Sequence, residues 1–483
     1  MSAIDFNSIF YPKNIAVIGA SNNLEKLGGR TFKLLLDFGF KGKVYAVNPN
    51  ETSIFGHPCY RSVLDIPEPV ERAIVVVPAK AVPAVIEECA QKGLKTVQIL
   101  TSGFEEGQAK QALRQTVEKV KQKGLRIIGP NCMGTYSPAV NLSFTRNASL
   151  EEGEVAFISQ SGGLTIDIVA QGKVMGLKFS KAISVGNCID VEHADFLEYL
   201  AADPKTRIIG FYLEGVRDGR RFFELLKQIT PQKPVVILKG GRSAQGAKSV
   251  ASHTGNLAGQ YEVWEAVFKQ TGAIAVETVQ EFMDVLLCLQ CLEDFPAEKR
   301  LLLVGNGGGA AVLATDFGDK LGWQLQDFSP ATKEKLKQLS LPAGSSSQNP
   351  IDIPANILKA TQGRIFTDIM KTIFAGERFG AVIAHFNMLS FLNYVHGEQF
   401  LQDTVQAVLA GRSPKVPMVL VLRSNSDPAV EAARQRLQQY CVGKGLPVLG
   451  TIEGAIYALD KLAKYRQWVV SRLPADRLSA ATA

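Results

Sequence analysis

His253 is the residue of this 483-residue chain most openly placed to do chemistry. It stands in Ser249-Val250-Ala251-Ser252-His253-Thr254-Gly255-Asn256-Leu257-Ala258-Gly259, a run of small residues with no apolar stripe to bury a ring. An imidazole displayed in such a loop, with an unperturbed pKa of about 6.5, serves as nucleophile or proton acceptor near neutral pH. The run follows a strand-like segment, Pro234-Val235-Val236-Ile237-Leu238, and a glycine-rich turn, Lys239-Gly240-Gly241-Arg242-Ser243; a helical pattern begins near Gln260. That order predicts a loop at the carboxyl edge of a sheet, where α/β proteins bind ligands.

Two further segments fit the same chemistry. Phe157-Ile158-Ser159-Gln160-Ser161-Gly162-Gly163-Leu164-Thr165 reads as a strand entering a helix through a Ser-Gly-Gly turn. Ser161 can cap the helix, while Gly162 and Gly163 let an anion approach the first N–H groups. Glu214 ends the apolar strand Phe211-Tyr212-Leu213, where a carboxylate can orient an imidazole and stabilise its charged form. Closer to the N-terminus, Val17-Ile18-Gly19-Ala20-Ser21-Asn22-Asn23 opens a loop running to Gly28-Gly29, a seat for a diphosphate at a helix start. A nicotinamide dinucleotide would want Gly-x-Gly-x-x-Gly here and an acid after the second strand. The chain has Gly19-Ala20-Ser21 and Val47-Asn48-Pro49 instead, which disfavours a dehydrogenase and leaves another phosphate-bearing nucleotide such as coenzyme A open. Val77-Pro78, Thr101-Ser102-Gly103-Phe104 and Gly129-Pro130-Asn131-Cys132 are strand ends expected in the same cleft.

These turns need sheets to hold them. Residues from about 13 to 145 alternate strand and helix patterns, with short β-branched runs such as Ala73-Ile74-Val75-Val76-Val77 that predict strands buried on both faces. The expectation is an α/β chain of three consecutive parallel-sheet domains: a Rossmann-like domain over 1–146, a flavodoxin-like domain over 147–296, and a second flavodoxin-like unit over 297–483. Gly305-Asn306-Gly307-Gly308-Gly309-Ala310-Ala311 reads as a third anion loop or as a close-packing turn. The acids of Asn187-Cys188-Ile189-Asp190-Val191-Glu192-His193-Ala194-Asp195 read as a solvated helix start rather than a metal set, and no metal site is expected.

Composition excludes several classes. A net charge of +7, from 53 basic and 46 acidic residues without a like-charge run, gives no support to a nucleic-acid role. The 46% apolar share can bury several cores, yet no apolar stretch reaches the roughly 18 residues of a membrane span. Seven scattered cysteines, Cys288 and Cys291 being the closest pair, and an N-terminus without a basic or apolar leader fit a soluble cytoplasmic protein.

Together the motifs resemble the NDP-forming acyl-CoA synthetases, the superfamily of succinyl-CoA synthetase, and most closely the α-type subunit of the ADP-forming acetyl-CoA synthetases. The likeness runs from Ile9 to about Lys464. It rests on Ile18-Gly19-Ala20-Ser21, Gly129-Pro130-Asn131-Cys132, Ser159-Gln160-Ser161-Gly162-Gly163, Asp195-Phe196-Leu197-Glu198-Tyr199-Leu200, Tyr212-Leu213-Glu214-Gly215, Ser252-His253-Thr254-Gly255 and Asn349-Pro350-Ile351-Asp352. The resemblance implies an acid–thiol ligase that passes phosphate from ATP or GTP to a histidine, then to a carboxylate whose acyl phosphate is captured by coenzyme A. His253 would carry the phosphate, Glu214 would pair with it, and Ser161, Gly162 and Gly163 would begin the helix that holds it. Gly19, Ala20, Ser21, Asn48, Pro49, Pro78, Ser102 and Gly103 would line the coenzyme A cleft, with Asn131 near the thiol. No segment resembles the ATP-grasp module that binds nucleotide and magnesium in this superfamily, so an ATP-grasp β-type partner and a hetero-oligomer are expected. Two departures stand out: Ile189 where relatives often carry Ala, and a poorly matched Arg423-Ser424-Asn425-Ser426-Asp427-Pro428. The alternative is a non-catalytic, CoA-binding regulatory protein of the same fold.

Overall fold

Strands covered on both faces should be buried from end to end, and in the computed structural model they are: Val155 to Ser159, Val235 to Lys239 and Leu301 to Gly305 contain no exposed residue. The structure describes residues 4–104, 107–254, 259–339, 341 and 343–472, with 251–254 described by backbone alone. The chain divides into two compact units, one of Met1–Lys173 with Leu177–Val279, the other of Val174–Gly176 with Gln280–Ala483.

The first unit contains two sheets. In the first are β1 (Asn14–Ile18), β2 (Lys43–Val47), β3 (Ser53–Ile54), β4 (His57–Tyr60), β5 (Arg72–Val75), β6 (Thr96–Ile99) and β7 (Arg126–Ile128), in spatial order β3-β4-β2-β1-β5-β6-β7. All neighbours are parallel except the β3–β4 hairpin. In the second are β8 (Thr135–Tyr136), β9 (Val155–Ser159), β10 (Phe179–Ser184), β11 (Ile208–Leu213), β12 (Val235–Lys239) and β13 (Ile274–Val276), ordered β13-β12-β11-β9-β10-β8, with only β8 antiparallel. Strand order reverses between β1 and β5 and again between β9 and β11, so each sheet has a crevice at those carboxyl ends.

The two sheets are tied together by buried groups. The short helix Phe6–Phe10 stacks Phe6 on Tyr199 at 4.3 Å and sets it edge-on to Phe196 at 5.6 Å. Arg72 of β5 is fully buried; its guanidinium donates to the Ile9 carbonyl, to Gln98 of β6 and, at 2.7 Å, to the Thr135 hydroxyl of β8. Burial lowers its pKa to about 10, still far above neutral, so the cation persists and its bonds clamp both sheets at one point.

The second unit has one parallel sheet, β14 (Leu301–Gly305), β15 (Ile351–Asp352), β16 (Ala381–Asn387), β17 (Met418–Arg423) and β18 (Val448–Leu449), ordered β15-β14-β16-β17-β18. The three-sheet α/β architecture agrees with the periodicity. The strands that periodicity misses, β3, β4, β8, β13 and β15, have four residues or fewer, too short to show a period. No helix among the described residues is long and apolar enough to cross a membrane.

Candidate active site

Along the first sheet the carboxyl strand ends touch in sequence. Asn48 Nδ2 after β2 donates to the Ala20 carbonyl after β1 at 2.8 Å, and Gly19, at φ +95°, lies so close to the Val76 backbone that a Cβ would sit 3.0 Å from it. Thr101 Oγ1 after β6 donates to the Val77 carbonyl at 2.7 Å, and the Asn131 N–H after β7 donates to the Thr101 carbonyl at 3.0 Å. Ala20 and Ser21 are buried, Ser21 Oγ accepting from Asn23 N–H; Pro49, Pro78, Ser102 and Gly103 are exposed along the rim. Gly28 and Gly29 are packing positions: Cβ atoms there would lie 1.9 Å from the Gly19 carbonyl and 2.2 Å from that of Asn23. They press the helix Leu27–Asp37 onto the loop.

The row continues into the second sheet. A Cβ on Gly186, after β10, would fall 2.2 Å from the Pro130 carbonyl, and one on Gly162 would fall 3.1 Å from Met133 Cβ. The edge from Gly19 to Asn131 therefore abuts the start of the helix Gly162–Met175. Ser161 caps that helix: its Oγ accepts from Leu164 N–H at 3.3 Å and its carbonyl from Thr165 N–H at 3.2 Å. Gly163 differs from the packing glycines. It is exposed, and a Cβ there would meet nothing within 4 Å, so the fold does not require glycine. What a missing Cβ leaves is an open approach to N–H groups at the positive end of a helix. With phosphate seated there, Gly163→Ala is expected to raise stability by about 0.5–1 kcal/mol through helix propensity. The same change should slow phosphoryl transfer by about 10²-fold. Melting temperature and phosphate labelling, moving in opposite directions, check it.

Glu214 follows β11 across the switch point from Ser161 and is buried, 5% exposed. Gln160, whose sequence signal was only its place between two serines, holds it: Gln160 Oε1 accepts from the N–H groups of both Glu214 and Gly215. Tyr212 OH donates to Glu214 Oε1 at 3.3 Å; burial, then the Glu214 charge, pushes the phenol pKa upward. Lys239, at the end of β12, was missed as a lone charge closing an apolar run. Its buried Nζ donates to the Glu214 carbonyl at 2.9 Å, and burial lowers its pKa to about 8, offset in part by Glu214. Leu164, Tyr212, Lys239 and Gly241 line a cleft at the carboxyl ends of β9, β11 and β12.

His253 requires a correction. Its backbone is in the last turn of the helix Ala244–Thr254, not in a loop, since Ala244, Gln245, Ala247, Lys248 and Ala251 are mostly good helix formers. Its side chain and residues 255–258 lie outside the described residues. The acids near Asp190 are also not solvated. Asp190 is buried and bound by Arg126 at 2.8 Å and Lys121 at 3.2 Å, which hold its carboxyl below the usual range against burial; Glu192 and Asp195 form a capping box. In the other unit, Gly307 N–H donates to Asp352 Oδ1 at 2.8 Å and Arg423 Nη2 to the Asn306 carbonyl at 2.6 Å, so the poorly matched late segment begins with a residue that braces the Gly305–Ala311 turn.

Two joined parallel sheets with a polar carboxyl edge leading to an open helix start define an α/β protein whose helix start can seat an anion. A family model described as a CoA binding domain matches residues 13–138, and one described as a succinyl-CoA ligase like flavodoxin domain matches 152–289. The acetate–CoA ligase (ADP-forming) I subunit alpha of Pyrococcus furiosus is 36% identical over 475 residues, covering 96% of this chain and 98% of the relative. The acetate–CoA ligase (ADP-forming) I of Archaeoglobus fulgidus is 44% identical over 349 residues, 71% of this chain and 50% of the relative, so the chain spans about half the length of that protein. A solved structure of dinucleotide forming acetyl-coenzyme A synthetase 1 from Candidatus Korarchaeum cryptofilum, in complex with phosphate and ADP, superposes with a TM-score of 0.80 at 29% identity over 99% of both chains. The chain belongs to the NDP-forming acyl-CoA synthetase family, as its motifs implied.

Proposed function

We propose that the chain is the coenzyme A-binding, phosphohistidine-bearing subunit of a nucleotide-dependent acyl-CoA synthetase. The observation that carries this reading is the unbroken edge from Gly19 through Asn131 to Gly162 and Glu214, which can seat a long nucleotide thiol with its reactive end beside a phosphate turn. Ser21, Asn48 and Ser102 supply polar groups along the cleft, Pro49, Pro78 and Gly103 its rim, and Asn131 the thiol end. In the direction of acid release, acyl-CoA and inorganic phosphate exchange to free thiol and acyl phosphate. The phosphoryl group then passes to the His253 ring nitrogen as the acyl–oxygen–phosphorus link breaks and carboxylate leaves. Glu214 stabilises the charged imidazole, and the Ser161 helix start offsets phosphate charge. ATP or GTP with magnesium would be handled by an ATP-grasp β-type subunit in a hetero-oligomer, a reading supported by relatives that are named alpha subunits. The division at 146 and 296 belongs to the same reading, as does a cytosolic location, which cysteines present as thiols support.

Calorimetry on the chain with coenzyme A and, in parallel, NADH tests the cleft. Coenzyme A is expected to bind and NADH to bind at least tenfold more weakly; the reverse order rejects the assignment. Labelling with radioactive phosphate plus acyl-CoA separates the catalytic reading from a regulatory, CoA-binding one, since only the former yields an acid-labile phosphohistidine.

A further inference from the structure

Between the helix Leu27–Asp37 and the segment 133–144 lies an apolar slot that neither the coenzyme A edge nor the phosphate turn uses. Leu35, Ile74, Leu100 and Leu142 line it and are buried, while Leu27 and Met133 line it half-buried and Arg30 is exposed at its rim. Leu27 and Leu34 are seven residues apart on one helix, which gives the slot a length of roughly 10 Å along it at about 1.5 Å per residue. Protein interiors leave few such voids, and an apolar hollow with a polar mouth is the usual form of a small-molecule site.

The mouth indicates what would enter. Arg30 is exposed and its guanidinium makes no hydrogen bond or ion pair among the described residues, and the neighbouring Thr31 hydroxyl, also lining the slot, has no side-chain partner there either. The nearby carboxylate Asp37 is already engaged by Lys33 and Arg146. A free cation above an apolar shaft matches an anionic head on an apolar tail. We infer that the slot binds a medium-chain monocarboxylate, its carboxylate on Arg30 and Thr31 and its hydrocarbon chain running inward to Leu35, Ile74 and Leu142. The inference does not depend on the acyl-CoA synthetase reading, but the position is informative: Met133 walls the slot on one side and meets Gly162 on the other, so an apolar acid held here lies beside the phosphate turn.

Titration of the full chain with acetate, butanoate, hexanoate and octanoate, without nucleotide or coenzyme A, tests it. Burial of each added methylene is expected to tighten binding roughly three- to fourfold until the slot is filled near hexanoate. Arg30→Gln, at an exposed position that leaves melting unchanged, is expected to weaken hexanoate about fivefold while keeping the chain-length increment. Thr31→Phe fills the shaft and is expected to remove the increment. Affinity independent of chain length overturns the inference, and so does hexanoate binding equal to wild type in Arg30→Gln, even if Thr31→Phe fails to fold. Chain-length dependence that survives both variants places the acid elsewhere, which overturns the slot while leaving the proposed function standing. Loss of phosphohistidine labelling with normal hexanoate binding has the opposite consequence.

Discussion

Alanine in place of His253 is expected to abolish acyl-CoA-dependent phosphate labelling and, in a complex with an ATP-grasp subunit, to lower acyl-CoA synthesis on the order of 10⁴-fold or more, the usual cost of removing a nucleophile. The backbone position at the end of Ala244–Thr254 supports a variant that folds, because alanine is the better helix former. Coenzyme A binding should be retained, which separates lost chemistry from lost structure. Wild-type rates of synthesis by His253→Ala in the reconstituted complex would end the phosphohistidine mechanism. Robust ATP-driven synthesis by the wild-type chain alone would instead end the claim that nucleotide is handled by a partner.

Glu214→Gln is expected to have the next largest effect, about 10²-fold or more on phosphoryl transfer with little change in melting. The amide retains the shape of the carboxylate, and the main-chain bonds that place the residue are untouched: its N–H still reaches Gln160 Oε1 and its carbonyl still accepts from Lys239. The change removes the negative charge that, in the proposed mechanism, stabilises a protonated or phosphorylated imidazole. A pre-steady-state labelling experiment distinguishes the outcomes. Slow formation of phosphohistidine with normal coenzyme A binding supports the charge role, whereas an unchanged labelling rate assigns Glu214 to structure.

Sequence alone determined the features that local chemistry encodes. Continuous β-branched runs required strands covered on both faces, and Ser161-Gly162-Gly163 required a capped helix start, because burial period and turn chemistry are properties of a few adjacent residues. Glu214 was legible for the same reason, as a charge closing an apolar strand, and Lys239 carried that signal equally but stood beside a more conspicuous glycine turn. Small helix-forming residues around His253 could equally be read as loop, and the backbone resolved them as the end of a helix. Only tertiary structure decided which glycines serve packing and which leave an anion room: Gly28 and Gly163 look alike in sequence, yet one is pressed on the Gly19 carbonyl and the other faces open space. Only tertiary structure, too, joined Gly19 to Val76, Pro130 to Gly186 and Met133 to Gly162, and clamped the sheets through Arg72. The physical reason is that such contacts form between segments tens of residues apart, set by how whole sheets pack, and no local pattern of residue types records which segment will arrive opposite another.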